Sequence, residues 1–224
     1  MADVEAVAKH DASCREREME AAFHMTQERL RQSPLWKDFP EIGKIMDWKR
    51  KFEVDNFRFP ILILLGPSRA SKTQYAMSLF ERPLVLRLGD ALHFPDGLRR
   101  LSEGQHDGVV LDDCRDCTFV QLQQDALQSG NMIQEFAKSP TGQYSFRLNL
   151  YKIPFIITMN FSTRNLRLLT ECDFCSHQDN TNLVLYPPVA IANALGVPSF
   201  SFPPVFEHGS PALCAKLLER SVKV

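Results

Sequence analysis

An excess of either charge is missing from this chain of 224 residues. It has 26 Lys and Arg against 27 Asp and Glu, a formal net charge of −1. That balance excludes a strongly basic coat for nucleic acid and leaves room only for a local basic loop or pore. Long apolar runs are also lacking. The longest, residues 61–65 and 153–159, fall far short of the ~20 residues that cross a bilayer, so no membrane partner is expected. The N-terminus, Met-Ala-Asp-Val-Glu, has no basic-then-apolar leader pattern. An intracellular protein, nuclear or cytoplasmic and not secreted, is the expectation. Its six Cys then read as reduced thiols or metal ligands rather than as a disulfide framework. With 44% hydrophobic and 24% charged residues, the chain can bury one sizeable core and still carry a small appendage.

Neither proline nor glycine occurs before Pro34, so nothing interrupts a helix in the charged N-terminal stretch. Met19, Phe23 and Leu30, spaced by 4 and then 7 positions, share one helical face. Residues 32–40 contain two Pro and read as a turn. Residues 41–52 read as a second short helix ending in Lys49-Arg50-Lys51. That basic run is most simply a solvated face, with repelling helix ends and DNA contact as the alternatives. Residues 1–52 are thus a helical segment with an expected role in oligomerisation.

From Phe59 the texture changes. Residues 59–65 are continuously apolar, as in a strand covered on both faces, and end at Gly66. Residues 72–80 suit a helix and 83–88 a strand. Residues 108–111 form a short apolar strand ending at Asp112 and Asp113, and 119–127 look helical. Residues 144–151 alternate as one arm of a hairpin, and 154–159 are a buried strand ending at Asn160. This order predicts an α/β fold, a parallel sheet flanked by helices, over residues 53–186. Six Pro between Tyr186 and Pro211 predict an irregular C-terminal tail over 187–224.

Three segments carry candidate chemistry. Gly66-Pro67-Ser68-Arg69-Ala70-Ser71-Lys72-Thr73 follows the first strand and opens a helix, the context that gives a phosphate-loop match its meaning. Successive backbone N–H groups there can wrap a triphosphate. Lys72 would meet the β- and γ-phosphates of ATP, and Thr73 would offer its hydroxyl to Mg²⁺. Ser71 stands where such loops usually have Gly. Ser has less freedom than Gly at positive φ and can fill the place if its φ is negative; the bland alternative is an ordinary turn in which Ser71 caps the helix. Val109-Val110-Leu111-Asp112-Asp113 places two carboxylates at a strand end, Asp112 suited to the metal and Asp113 to polarising a water. A plain Asp-Asp turn is the alternative. Asn160 ends the third segment and could orient the water or donate to the γ-phosphate, or merely begin a turn.

In order and spacing these motifs resemble the superfamily 3 helicases, above all the helicase domain of the replication-associated (Rep) proteins of circular single-stranded DNA viruses and their relatives. The likeness spans residues 57–186, roughly. It implies an AAA+-related P-loop NTPase that hydrolyses ATP with Mg²⁺, assembled as a homo-oligomeric ring with ATP between neighbours. It implies single-stranded nucleic acid as partner, DNA before RNA. It also implies a pore hairpin that touches DNA, here 138–143, with Lys138 and Arg147 as its basic residues and Lys152 following. The sequence departs from the family in several places. The six His include no pair two apart, and no Tyr has Lys three positions on, so the nicking domain of the full-length proteins is absent. Arg164 and Arg167 are the candidates for an arginine finger, but they precede the region where the family carries it. Slow hydrolysis, or a non-catalytic nucleotide-binding assembly module, is the expectation that follows. Cys114 and Cys117, with Cys172, Cys175 and His177, have zinc-ligand chemistry, but the pairs are far apart and the first adjoins Asp113.

Overall fold

The computed structural model describes residues 2–33, 36, 38–102, 104–128, 130, 133–137, 145–162, 164, 165, 167, 169 and 181–185. The chain divides into two compact units, 1–38 and 39–224. The first contains helix α1 (Ala2–Arg31), uninterrupted as the absence of Pro and Gly predicts. Met19 and Leu30 on it are exposed.

The second unit opens with α2 (Gly43–Arg50). Then follow β1 (Ile61–Gly66), α3 (Lys72–Ser78), β2 (Pro83–Gly89), a 3₁₀ turn (Asp96–Arg100) and β3 (Gly108–Cys114). Two short helices come next, α4 (Thr118–Leu122) and α5 (Gln124–Leu127). The remaining elements are β4 (Gln134–Ala137), β5 (Ser145–Leu148), β6 (Phe155–Asn160) and β7 (Thr181–Leu185). Five strands form one sheet in the order β2-β3-β6-β1-β7, parallel at every pairing. β4 and β5 form a separate antiparallel hairpin.

The central strands are apolar throughout because both faces of the sheet are covered. Ile61, Ile63, Leu65, Val109, Leu111, Ile157 and Met159 pack on one side, with Phe119, Val120 and Leu127 of α4 and α5. Leu62, Leu64, Val110 and Ile156 face the other side, with Ile45 and Trp48 of α2 and Tyr75 and Ala76 of α3. The period of two along each strand therefore sorts side chains into two cores. All six residues of β1 are buried, and on β6 only Asn160 is exposed.

Several expectations need adjusting. α2, read above with the N-terminal segment, belongs to the sheet unit, which begins at Phe39. Ile42, Ile45 and Trp48 are core residues, and Trp48 donates from Nε1 to the Pro60 carbonyl at 2.6 Å. The single helix expected over 119–127 is two, broken at Gln123 (φ −108°, ψ 17°). The third strand runs on through both aspartates to Cys114. β7 was not anticipated. The 138–143 tip, Cys172, Cys175, His177 and the 187–224 tail lie outside the described residues. Among the described residues no helix is long and apolar enough to cross a membrane.

Candidate functional site

Parallel strands that share one direction bring all their carboxyl ends to one edge, where ligands of open α/β sheets bind. Here that edge carries Gly66 of β1, Asp112 and Asp113 of β3, and Asn160 of β6. The β1–β6 register sets Gly66 opposite Asn160. The loop after β1 and the strand ends enclose a cleft of about 530 Å³. It is lined by residues 68–73 of the loop and by Asp112, Asp113 and Asn160. Three segments read separately from the sequence thus meet in one place.

Lys72 is 7% exposed. Its ammonium donates to the Gly66 carbonyl (3.1 Å), the Pro67 carbonyl (2.6 Å) and Asn160 Oδ1 (3.1 Å). Burial holds its pKa below the usual lysine value, opposed by the nearby charges of Asp112 and Asp113. Thr73 donates from Oγ1 to Asp112 Oδ1 at 2.6 Å, and Thr158 donates to the same oxygen at 2.6 Å. The Thr158 hydroxyl in turn accepts from the Asp113 N–H at 3.1 Å. Thr158 is buried within an apolar strand, where an isolated hydroxyl needs a partner. That polar interruption of residues 155–159 was the signal for it, and sequence reasoning passed over it.

Asp113 sits at φ +56°, in the left-handed region, where β3 slips register against β6 between Leu111 and Cys114. The irregularity lets consecutive aspartates both face the cleft, which a regular strand would forbid. Asp113 Oδ2 lies 3.2 Å from Arg87 and 3.6 Å from Arg115. Its Oδ1 is 3.5 Å from Asn160 Nδ2. Neither arginine was singled out from the sequence. Arg87 is the one exposed residue of β2, and nothing local to it indicates that it turns toward the cleft.

The residues fit a hydrated magnesium ion. The Thr73 hydroxyl and Asp112 carboxylate supply hard oxygen donors side by side, and Mg²⁺ needs only one or two protein oxygens when water and phosphate complete its shell. Zinc has less support. Cys114 and Cys117 are buried and in no disulfide, and burial pushes the Cys114 thiol up to about 12. Among the described residues no three His, Cys, Asp or Glu side chains converge.

Ser71 occupies φ +62°, as does Arg69, so the condition of a negative φ is not met. It holds the N-cap position of α3, its carbonyl accepting from the Tyr75 N–H at 2.9 Å, but its side chain makes no capping bond. A left-handed L-residue costs about 1–2 kcal/mol, against a Gly entropy penalty of about 0.5–1. Ser71→Gly should therefore stabilise the fold by about 0.5–1 kcal/mol by this balance, read from urea denaturation. A destabilised Ser71→Gly would mean that the Ser hydroxyl has a structural part of its own.

Of the expected nucleic-acid residues, Arg147 and Lys152 are not part of the cleft lining. Arg147, on β5, pairs across the hairpin with Glu135 at 3.4 Å. Lys152 pairs with Asp55 at 2.7 Å, which holds its pKa above the usual value. Lys138 lies outside the described residues. Of the finger candidates, Arg164 is bound to Asp116 of its own chain at 3.1 Å, and Arg167 is exposed nearby on the sequence following β6. Comparison with protein-family models and with curated protein sequences finds no match to this chain.

Proposed function

We propose that the chain is a Mg²⁺-dependent ATP-binding domain of the P-loop class, AAA+-related and of superfamily 3 helicase type. It acts on single-stranded nucleic acid and hydrolyses ATP slowly. One observation carries the reading. Residues 39 and 46 positions from Asp112, Thr73 and Thr158, donate to the same carboxylate oxygen, while Lys72 reaches Asn160 across 88 positions. Such convergence of loop, paired aspartates and strand-end amide is what phosphoryl transfer to water requires: a phosphate cradle, a metal-holding carboxylate and a group to orient the nucleophile. A homo-oligomeric ring, with α1 aiding association and DNA meeting the β4–β5 hairpin near Lys138 and Arg147, belongs to the same proposal.

A second reading, a non-catalytic nucleotide-binding assembly module, draws on Asp113. Two guanidiniums neighbour the carboxylate that should polarise water. The deciding experiment is ATP turnover by the full chain, with and without single-stranded DNA, alongside native mass. The helicase-type reading expects slow turnover that rises with DNA, in an oligomer. Tight ATP binding without turnover under any condition would select the assembly module. Absence of both binding and turnover would sink both.

A further inference from the structure

The geometry points to Arg87 as a phosphate-binding side chain supplied within the subunit: it exchanges Asp113 for the terminal phosphate when a triphosphate binds. This rests on the nucleotide-binding reading above and extends it to a residue outside the three motifs.

Position comes first. β2 is an edge strand, and its register sets Arg87 beside Asp112 of β3. Arg87 lines the same cleft as Lys72, Thr73, Asp113 and Asn160. Its guanidinium is therefore on the side of the cleft where Asp113 and Asn160 converge, which the proposed roles assign to the terminal phosphate and the attacking water.

Arg87 holds Asp113 by one contact of 3.2 Å from a side chain that is 75% exposed, a weak bond in solvent. Arg115 differs. It bonds Asp90 at 3.1 Å as well as neighbouring Asp113, its N–H donates to the Gly89 carbonyl, and its carbonyl accepts from Asn165. Arg115 thus shares its guanidinium between two carboxylates on a fixed backbone, whereas Arg87 has Asp113 as its one ion-pair partner among the described residues, which makes Arg87 the simpler of the two to transfer. Once Arg87 leaves, Asp113 still has Arg115 and Asn160 beside it, while Oδ2 gains room to accept from a water.

Charge supplies the reason for the exchange. A triphosphate entering this cleft meets two carboxylates, Asp112 and Asp113. The metal can offset the first, but a cation is needed between the second and the terminal phosphate. A guanidinium presents paired donors that match phosphate oxygens, and its bond to phosphate is stronger than a solvent-exposed contact to a carboxylate.

The test is calorimetric titration of the full chain with Mg-ATP and Mg-ADP, comparing the wild type, Arg87→Gln and Lys72→Ala. Circular dichroism checks that each variant is folded. Arg87→Gln should weaken ATP about tenfold, the scale of one charge-assisted contact, and leave ADP within about twofold. Arg87→Lys should fall between, having the charge without the fork. An equal effect of Arg87→Gln on both nucleotides, or none on either, would overturn the proposal while Lys72→Ala still weakens ATP. If the wild type binds neither nucleotide, or Lys72→Ala changes neither affinity, the nucleotide-binding reading fails and the role of Arg87 fails with it.

Discussion

Trp48→Ala should destabilise the sheet unit by about 3–5 kcal/mol, the usual cost of removing a large buried aromatic. Trp48 is 1% exposed. It stacks edge-on to Phe52 at 5.2 Å between ring centres, and Phe52 lies parallel to Phe59 at 4.8 Å. The substitution removes this contact and leaves the Pro60 carbonyl without its indole donor, at the entrance to β1. Whole domains are stable by only about 5–15 kcal/mol, so much of the margin would go. Urea denaturation reads the effect directly. A loss under about 1 kcal/mol would mean that α2 is not part of the core. The same packing predicts that a chain beginning at Glu53 folds poorly, since it lacks Ile42, Ile45 and Trp48. A test of α1 in assembly should therefore keep residues from Phe39 onward.

Asp113→Asn should lower ATP turnover by about 10²–10⁴-fold, the contribution typical of a positioned general base, with ATP binding retained. The substitution is chosen for the backbone. At φ +56° Asn is among the best tolerated L-residues, so the irregularity in β3 should persist. The amide keeps the shape of the side chain but loses the negative charge that polarises a water. Single-turnover measurement separates this from a change in nucleotide release. Turnover within about twofold of the wild type would remove Asp113 from the chemistry and give the role to another acceptor in the cleft.

What could be read in the sequence follows from which constraints are local. β1 and β6 were legible because a strand covered on both faces has a nearly continuous apolar run, broken in β6 only by Thr158, and the runs end at Gly66 and Asn160, residue types that mark the sheet edge. The loop, Asp112, Asp113 and Asn160 were legible because their residue types and order were informative, although only the parallel register shows that they share a cleft. Thr158 was missed because its partners are 45 and 46 positions away. Arg87 was missed because a lone Arg on an edge strand has the same local pattern whether it faces solvent or a site. β7, five residues including Asn182, has too few apolar positions to announce itself, and its place beside β1 is decided by pairing. α2 was placed with the wrong neighbour because an amphipathic helix of eight residues does not specify which surface it covers. Ser71 ran against propensity. The turn into α3 imposes a positive φ, and the surrounding structure holds Ser there at a local cost.

The central claim is that the loop between β1 and α3 binds a nucleoside triphosphate through Lys72. Calorimetric titration of the wild type and Lys72→Ala with Mg-ATP tests it most directly. A charge-assisted contact of about 1.5–3 kcal/mol predicts saturable binding by the wild type and affinity at least about tenfold weaker in Lys72→Ala. Equal affinity in the two proteins, or no saturable binding by either, would contradict the account.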